Sequence, residues 1–145
     1  MTAATGPKST ANPAHLMLRE VWSTGDIELI DELVADRHVH YDPLFDEPIA
    51  GASALKEWVG TVRTGSPTLT KSVRETYVDG NAVILTYTST GTHDGEIMGI
   101  APTGRSFELE GASVFRVDDG RLVETVDVWD TFGLFSQIGA FPEVV

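Results

Sequence analysis

From Leu69 onward the period of this chain changes to two, in four runs separated by turn residues. A period of two is the mark of a strand with one buried face. The runs span Leu69 to Val78, Ala82 to His93, Arg105 to Val117 and Arg121 to Asp130. Asp79-Gly80 and Asp119-Gly120 separate two of the pairs, and such dipeptides favour tight hairpins. The connection from Asp94 to Gly104 is longer and rich in glycine and proline. A chain with this pattern is committed to a long antiparallel sheet over its second half.

Ahead of Leu69 the period is helical. Asn12-Pro13 is a favourable start, with Asn as cap and Pro at the first helical position, followed by Leu16, Met17, Val21 and Trp22 at helical spacing. Ser23-Thr24-Gly25 ends this helix, and Asp26 can cap a short second one carrying Ile27, Ile30, Leu33 and Val34. His38 to Pro43 is extended and stops at the proline. Leu44 to Ala50 is a loop, and Gly51 to Arg63 is a third helix, with Leu55, Trp58, Val59 and Val62 on one stripe and Gly65 as its stop. A closing helix is expected over Thr131 to Gly139. Helices followed by a run of strands define an α+β fold. Its natural packing is a cone-shaped, curved antiparallel or mixed sheet wrapped around the N-terminal helices, an α+β barrel whose interior leaves room for a ligand.

The 145 residues fit one domain, expected over residues 12–145 behind a disordered leader over residues 1–11. There is no cysteine, so disulfides and thiolate chemistry are excluded. A net charge of −12 and a pI near 4.5 oppose binding to nucleic acid or to an anionic membrane. The leader lacks the apolar core of a signal peptide and no run is long enough for a membrane helix, which points to a cytoplasmic protein.

One residue breaks the pattern. On the last strand, alternation puts Val123, Thr125, Asp127 and Trp129 on one face and Leu122, Glu124, Val126, Val128 and Asp130 on the other. Neither face is wholly polar, so both are expected to be covered. A carboxylate on a covered face is costly unless it is paired or used. Parity on the neighbouring strands gathers Tyr87 with Val83 and Leu85, and Gly111 and Ser113 with Phe107, Leu109 and Phe115. The small residues there leave space, so Asp127 is expected in an apolar pocket beside Gly111 and Ser113. A carboxyl desolvated without a cation has its ionisation displaced toward neutrality, the range that suits proton transfer. The competing reading pairs Asp127 with Arg105, Arg116 or a histidine.

His93, at the mouth of the glycine-rich connection, and His40, before Pro43, are candidates to hold a substrate carbonyl or to partner Asp127. His38 and His40 form a His-x-His pair without a third ligand at sensible spacing, so no metal is expected. His15 is structural. Trp22, Trp58 and Trp129 are either core or the flat walls of a ligand pocket, and Tyr41 and Met98 join them as candidate substrate contacts. The glycines at 95, 99 and 104 open no helix and form no dinucleotide fingerprint. Walker and nucleophile-elbow motifs are absent.

The segment from Gly91 to Arg105, GTHDGEIMGIAPTGR, resembles the central signature of SnoaL-like polyketide cyclases. So does Phe115 to Glu124, FRVDDGRLVE, with Asp127, Asp130 and the Gln137-Ile138-Gly139 ending. That family belongs to the nuclear transport factor 2-like superfamily of cone-shaped α+β barrels. The resemblance implies a cofactor-free enzyme that closes a ring on a polyketide by intramolecular aldol chemistry, with Asp127 as catalytic acid/base and His93 near the reacting oxygen. It also implies a small polycyclic or polyketide-like substrate and a homodimer or homotetramer. Trp22, Trp58 and Gly111 depart from residues common at these positions in the family. A pocket hydrolase opening an epoxide, using Asp42 and Arg105 beside Asp127, and a non-catalytic binder of a polycyclic molecule are the alternatives.

Overall fold

The computed structural model describes residues 7–141. Its elements in chain order are α1 (Pro7–Leu16), continued by a π-helical segment (Met17–Trp22), a 3-10 turn (Ile27–Leu29) leading into the single-turn α2 (Ile30–Leu33), β1 (Val34–Tyr41), β2 (Ile49–Ala50), α3 (Ala52–Gly65), β3 (Thr70–Asp79), β4 (Ala82–Thr92), β5 (Ser106–Asp118), β6 (Arg121–Trp129) and α4 (Thr131–Gln137). The six strands form one sheet in the order β2-β1-β6-β5-β4-β3. Every neighbouring pair is antiparallel except β1 with β6, which is parallel. The sheet is therefore mixed, and it curls over the helices in the expected α+β cone.

The two tight turns have the chemistry their sequences require. Asp119 and Gly120 both take positive φ, 51° and 77°, the backbone that matches hairpin twist. At the other hairpin Asp79 pairs with Ala82, and Gly80 supplies the positive φ, 59°. Leu18, Val21, Ile30, Leu55 and Val59 from the helical layer pack on Val83, Leu85, Phe115 and Leu122 from the sheet, all fully buried or nearly so. Burying each such side chain is worth about 1.5–3 kcal/mol, which offsets the ordering of a chain with no covalent staple.

Several sequence-based expectations are corrected. Helix α1 begins at Pro7, so Pro13 lies inside it. Residues 1–6 of the expected leader lie outside the described residues. Val34 opens β1 and does not close α2. The stretch before Gly51 contains the short strand β2, paired with Val39 and His40. On β6, Arg116 pairs with Glu124 but Val117 pairs with Leu122, leaving Val123 as a bulge. A bulge shifts parity, so Leu122 turns inward, fully buried, to the side of Thr125 and Asp127. The opposite face of β6 is open to solvent at Val128, which is 57% exposed; it is not covered.

Candidate active site

Ser113 on β5 and Asp127 on β6 are direct cross-strand partners, as are Gly111 and Trp129. Across the other edge of β5, Gly111 faces Tyr87 on β4. A Cβ added at Gly111 would lie 2.5 Å from the Tyr87 ring and hydroxyl. The missing side chain lets Tyr87 lean over β5 toward Asp127. The Tyr87 hydroxyl donates to Asp127 Oδ1 at 2.8 Å, and the Ser113 hydroxyl donates to the same oxygen at 3.0 Å. Burial, then the Asp127 charge, pushes the Tyr87 hydroxyl well above the usual tyrosine range, so it remains a donor.

The other carboxylate oxygen faces a cation, so Asp127 is not desolvated without one as expected, and that cation is Lys71 rather than Arg105, Arg116 or a histidine. Lys71 Nζ lies 3.5 Å from Asp127 Oδ2. Both residues are inside, Lys71 9% and Asp127 4% exposed. The ammonium also sits 3.8 Å from the centroid of the Trp22 ring and 4.8 Å from that of Tyr87. A cation over aromatic faces gains from the ring quadrupole, most where it is desolvated. Local structure aims it there. Ser23, just after the π segment, accepts from the Lys71 backbone N–H at 2.9 Å and donates to Leu18 O at 2.7 Å. The start of β3 is thereby tied to the segment that carries Trp22.

Beside this pair lies a second polar group. Asp42 Oδ1 accepts from the Leu44 backbone N–H at 3.1 Å, and Oδ2 accepts from the Trp129 indole at 3.3 Å. His40 Nε2 is 3.6 Å from Asp42 Oδ2. Burial pushes the Asp42 carboxyl up, but these donors and the His40 charge outweigh it and hold the group below its ordinary value. His38 turns to Thr125, ring nitrogen to hydroxyl oxygen 2.9 Å, and burial followed by the His40 charge lowers it to about 4.

One oxygen or nitrogen from each of His40, Asp42 and Asp127 lies within 4.8 Å of the others, so the partners of His40 are carboxylates and not His38. The donor types suit a divalent cation. The Lys71 ammonium at Asp127 and the indole N–H on Asp42 oppose one, because they already meet those carboxylates.

Above the polar cluster opens a cleft walled mostly by apolar side chains. Trp22, Trp58, Val62, Leu69, Phe107, Leu109, Trp129 and Leu134 form most of its wall. Asp42, Lys71, Tyr87, Ser89 and Asp127 are polar groups on it, and Glu96, Ile97 and Met98 form its rim. The Trp58 indole N–H is buried with no partner among the described residues. An apolar cleft with a few convergent polar groups has the make-up of a small-molecule site.

The cleft brings together Trp22, Trp58, Tyr87, Met98, Asp127 and Trp129 of the sequence-derived candidates, with Ser113 and Gly111 directly behind. It does not bring in His93. That ring is fully buried, with Nδ1 2.9 Å from the Thr103 hydroxyl and Nε2 3.2 Å from Ile100 O, so both nitrogens fasten the 94–104 connection. Tyr41 is 42% exposed and outside the wall. His40 stands behind Asp42. Arg105 is absent from the wall, its guanidinium lying instead near Gly139. Lys71 is the important residue that sequence parity overlooked, although it shares inward parity with Leu69.

The SnoaL-like polyketide cyclase family model matches residues 13–138. A comparison with curated proteins found no match. A SnoaL-like polyketide cyclase, provisionally assigned, from Jannaschia sp. CCS1 superposes with a TM-score of 0.84 at 18% identity, covering 98% of this chain and 99% of that one; at that identity it speaks for the fold alone. AclR from Streptomyces galilaeus, provisionally assigned as a hydroxylase, gives 0.83 at 26% identity over 97% and 87% of the two chains. IdmH from Streptomyces antibioticus, provisionally assigned as a polyketide cyclase, gives 0.77 at 27% identity over 90% and 98%. Among the described residues no helix is long and apolar enough to cross a membrane. With a family match across the helical layer, the whole sheet and the residues around Asp127, the chain belongs to the SnoaL-like polyketide cyclase family.

Proposed function

We propose that this protein closes a ring on a polyketide-like substrate by intramolecular aldol addition, with Asp127 moving the proton. The observation that carries this reading is the setting of the Asp127 carboxylate: buried on the wall of an apolar cleft, one oxygen held by Tyr87 and Ser113, the other turned toward Lys71. In the reaction Asp127 removes a proton from a carbon next to a carbonyl. The resulting carbanion attacks a second carbonyl of the same molecule, and the proton is returned to the new alkoxide. Positioned acid/base groups of this kind contribute roughly 10²- to 10⁴-fold. Folding one flexible chain against Trp22, Trp58 and Trp129 contributes further by raising the effective concentration of the two reacting ends.

Asp127→Asn keeps the shape and the hydrogen bonds from Tyr87 and Ser113 but removes the base. Turnover of a linear poly-β-ketone into a cyclised product, followed by mass spectrometry and NMR, should fall by at least about 10²-fold with the thermal transition preserved. Full activity of this variant would overturn the proposal.

A second reading has one observation in its favour, the nearness of Asp42 to Asp127. Two carboxylates around one water can hydrolyse an epoxide, but the arginine expected beside them, Arg105, is elsewhere. Product made in ¹⁸O-labelled water separates the two: label at the new hydroxyl favours hydrolysis, and its absence favours cyclisation. Tight binding of a polycyclic compound without conversion, unchanged in Asp127→Asn, would instead favour a binding module.

A further inference from the structure

Lys71 has no part in the acid/base step, yet among the described residues it is the only cation on the cleft wall. A buried ammonium is costly unless its surroundings compensate for lost water. Here the compensation comes from the Asp127 carboxylate on one side and the faces of Trp22 and Tyr87 on the other. The aromatic rings hold the ammonium whatever happens to the carboxylate. The carboxylate contact is the one that changes when Asp127 accepts a proton.

We propose that Lys71 is a catalytic residue that takes the enolate oxygen of the substrate as its counter-ion, which sets the substrate class as a carbon acid flanked by two carbonyls. The proposal rests on Asp127 acting as the base. Before proton transfer the negative charge is on Asp127 and the positive charge on Lys71. Asp127 then takes the C–H proton, the C–H electron pair becomes the carbon–carbon π bond of the enolate, and the carbonyl π pair moves to oxygen. The negative charge has moved from Asp127 to the substrate oxygen while Lys71 stays an ammonium. The group of three carries no net charge before or after, so the step requires no charge to be created in an apolar cleft. When the enolate carbon attacks the second carbonyl, that oxygen takes the proton back from Asp127 and the starting charges return. The paired carbonyls matter because they make the carbon acidic enough for a carboxylate to deprotonate and give the anion an oxygen to place against Nζ. The second carboxylate on the wall, Asp42, is held by the Leu44 N–H and the Trp129 indole and does not compete for Lys71 in this scheme.

The test uses substituted 2-naphthols, flat molecules whose ionised form mimics an enolate and whose absorption distinguishes anion from neutral form. They undergo no carbon–carbon bond formation, so they probe the cation independently of the base. The wild-type protein should bind the naphtholate at a pH below that at which the compound ionises in water. Lys71→Met should weaken anion binding roughly 10- to 150-fold, the factor expected for a lost charged hydrogen bond, and Lys71→Arg should restore much of it. Asp127→Asn, which mimics the protonated aspartate, should bind the anion at least as tightly as wild type. Binding of only the neutral naphthol by wild type, which requires no variant to fold, would overturn the proposal, as would equal anion affinity in a folded Lys71→Met. Anion binding as described together with full cyclisation by Asp127→Asn would leave Lys71 in its role and remove Asp127 from the base role.

Discussion

Ser113 and Asp127 stand opposite each other on adjacent antiparallel strands, and the serine hydroxyl reaches the carboxylate across 3.0 Å. The same oxygen also receives the Tyr87 hydroxyl. Two donors on one oxygen fix the plane of the carboxylate and leave its other oxygen turned to Lys71. Ser113→Ala and Tyr87→Phe each remove one donor from a buried charge and should each cost about 1–3 kcal/mol. Because the second donor can partly cover for the first, the double variant should lose more than the sum. Urea unfolding of the two single variants and the double variant measures this directly, and simple additivity would show that the donors act separately.

Gly111 is the space into which Tyr87 leans. Gly111→Ala puts a methyl group 2.5 Å from the ring in the present arrangement, so the ring must move off Asp127. A loss of about 1–3 kcal/mol is expected from overpacking. Turnover should fall in parallel with that in Tyr87→Phe. Adding Tyr87→Phe to Gly111→Ala should then cost little further activity, and steady-state kinetics on the three variants checks it.

His38 predicts how the fold responds to acid. Burial and the His40 charge lower it from 6.5 to about 4, so the unfolded chain takes up this proton before the folded one does. The stabilisation is complete above about pH 6.5 and is lost as the pH falls toward 4, up to about 3 kcal/mol over the window. Asp42, held below its ordinary value, acts in the same direction lower down: its contribution is present above pH 3.8 and fades below. His38→Gln keeps a group that can bond Thr125 but cannot titrate. Its unfolding free energy should change less between pH 7 and 4.5 than that of wild type.

His93 should behave as a fastener of the cleft rim. His93→Ala frees Thr103 and the Ile100 carbonyl, and the 94–104 connection carries Glu96, Ile97 and Met98. Amide exchange there should quicken and KM should rise, with kcat within about tenfold of wild type. A kcat loss as large as that of Asp127→Asn would place His93 in the chemistry.

The layout was legible because its signals are local. Period two marked the four long strands, and Asp-Gly marked both hairpins. Asp127 stood out because a carboxylate on an inward parity position has few reasons to be there. Lys71 obeys the same parity rule beside Leu69, but the bulge at Arg74, where β3 pairing jumps from Val73 to Glu75, breaks the alternation that would have exposed it. The bulge at Val123 hid Leu122 in the same way. The nearness of His40 and Asp42 to Asp127 depends on parallel pairing of β1 with β6, including Tyr41 with Val126. A contact between segments so far apart in sequence leaves no local pattern. His93 shows the reverse case, a signature histidine whose two nitrogens are taken up by its own loop.

Trp22 reaches Lys71 from the end of a π-helical stretch, Met17–Trp22. A π turn is an α turn with one residue too many, and one residue of helix is about 100° of rotation. The wider turn takes up its extra residue within Met17–Trp22, so the floor that Trp22 gives the cleft is set by the helix and not by any side chain of the sheet.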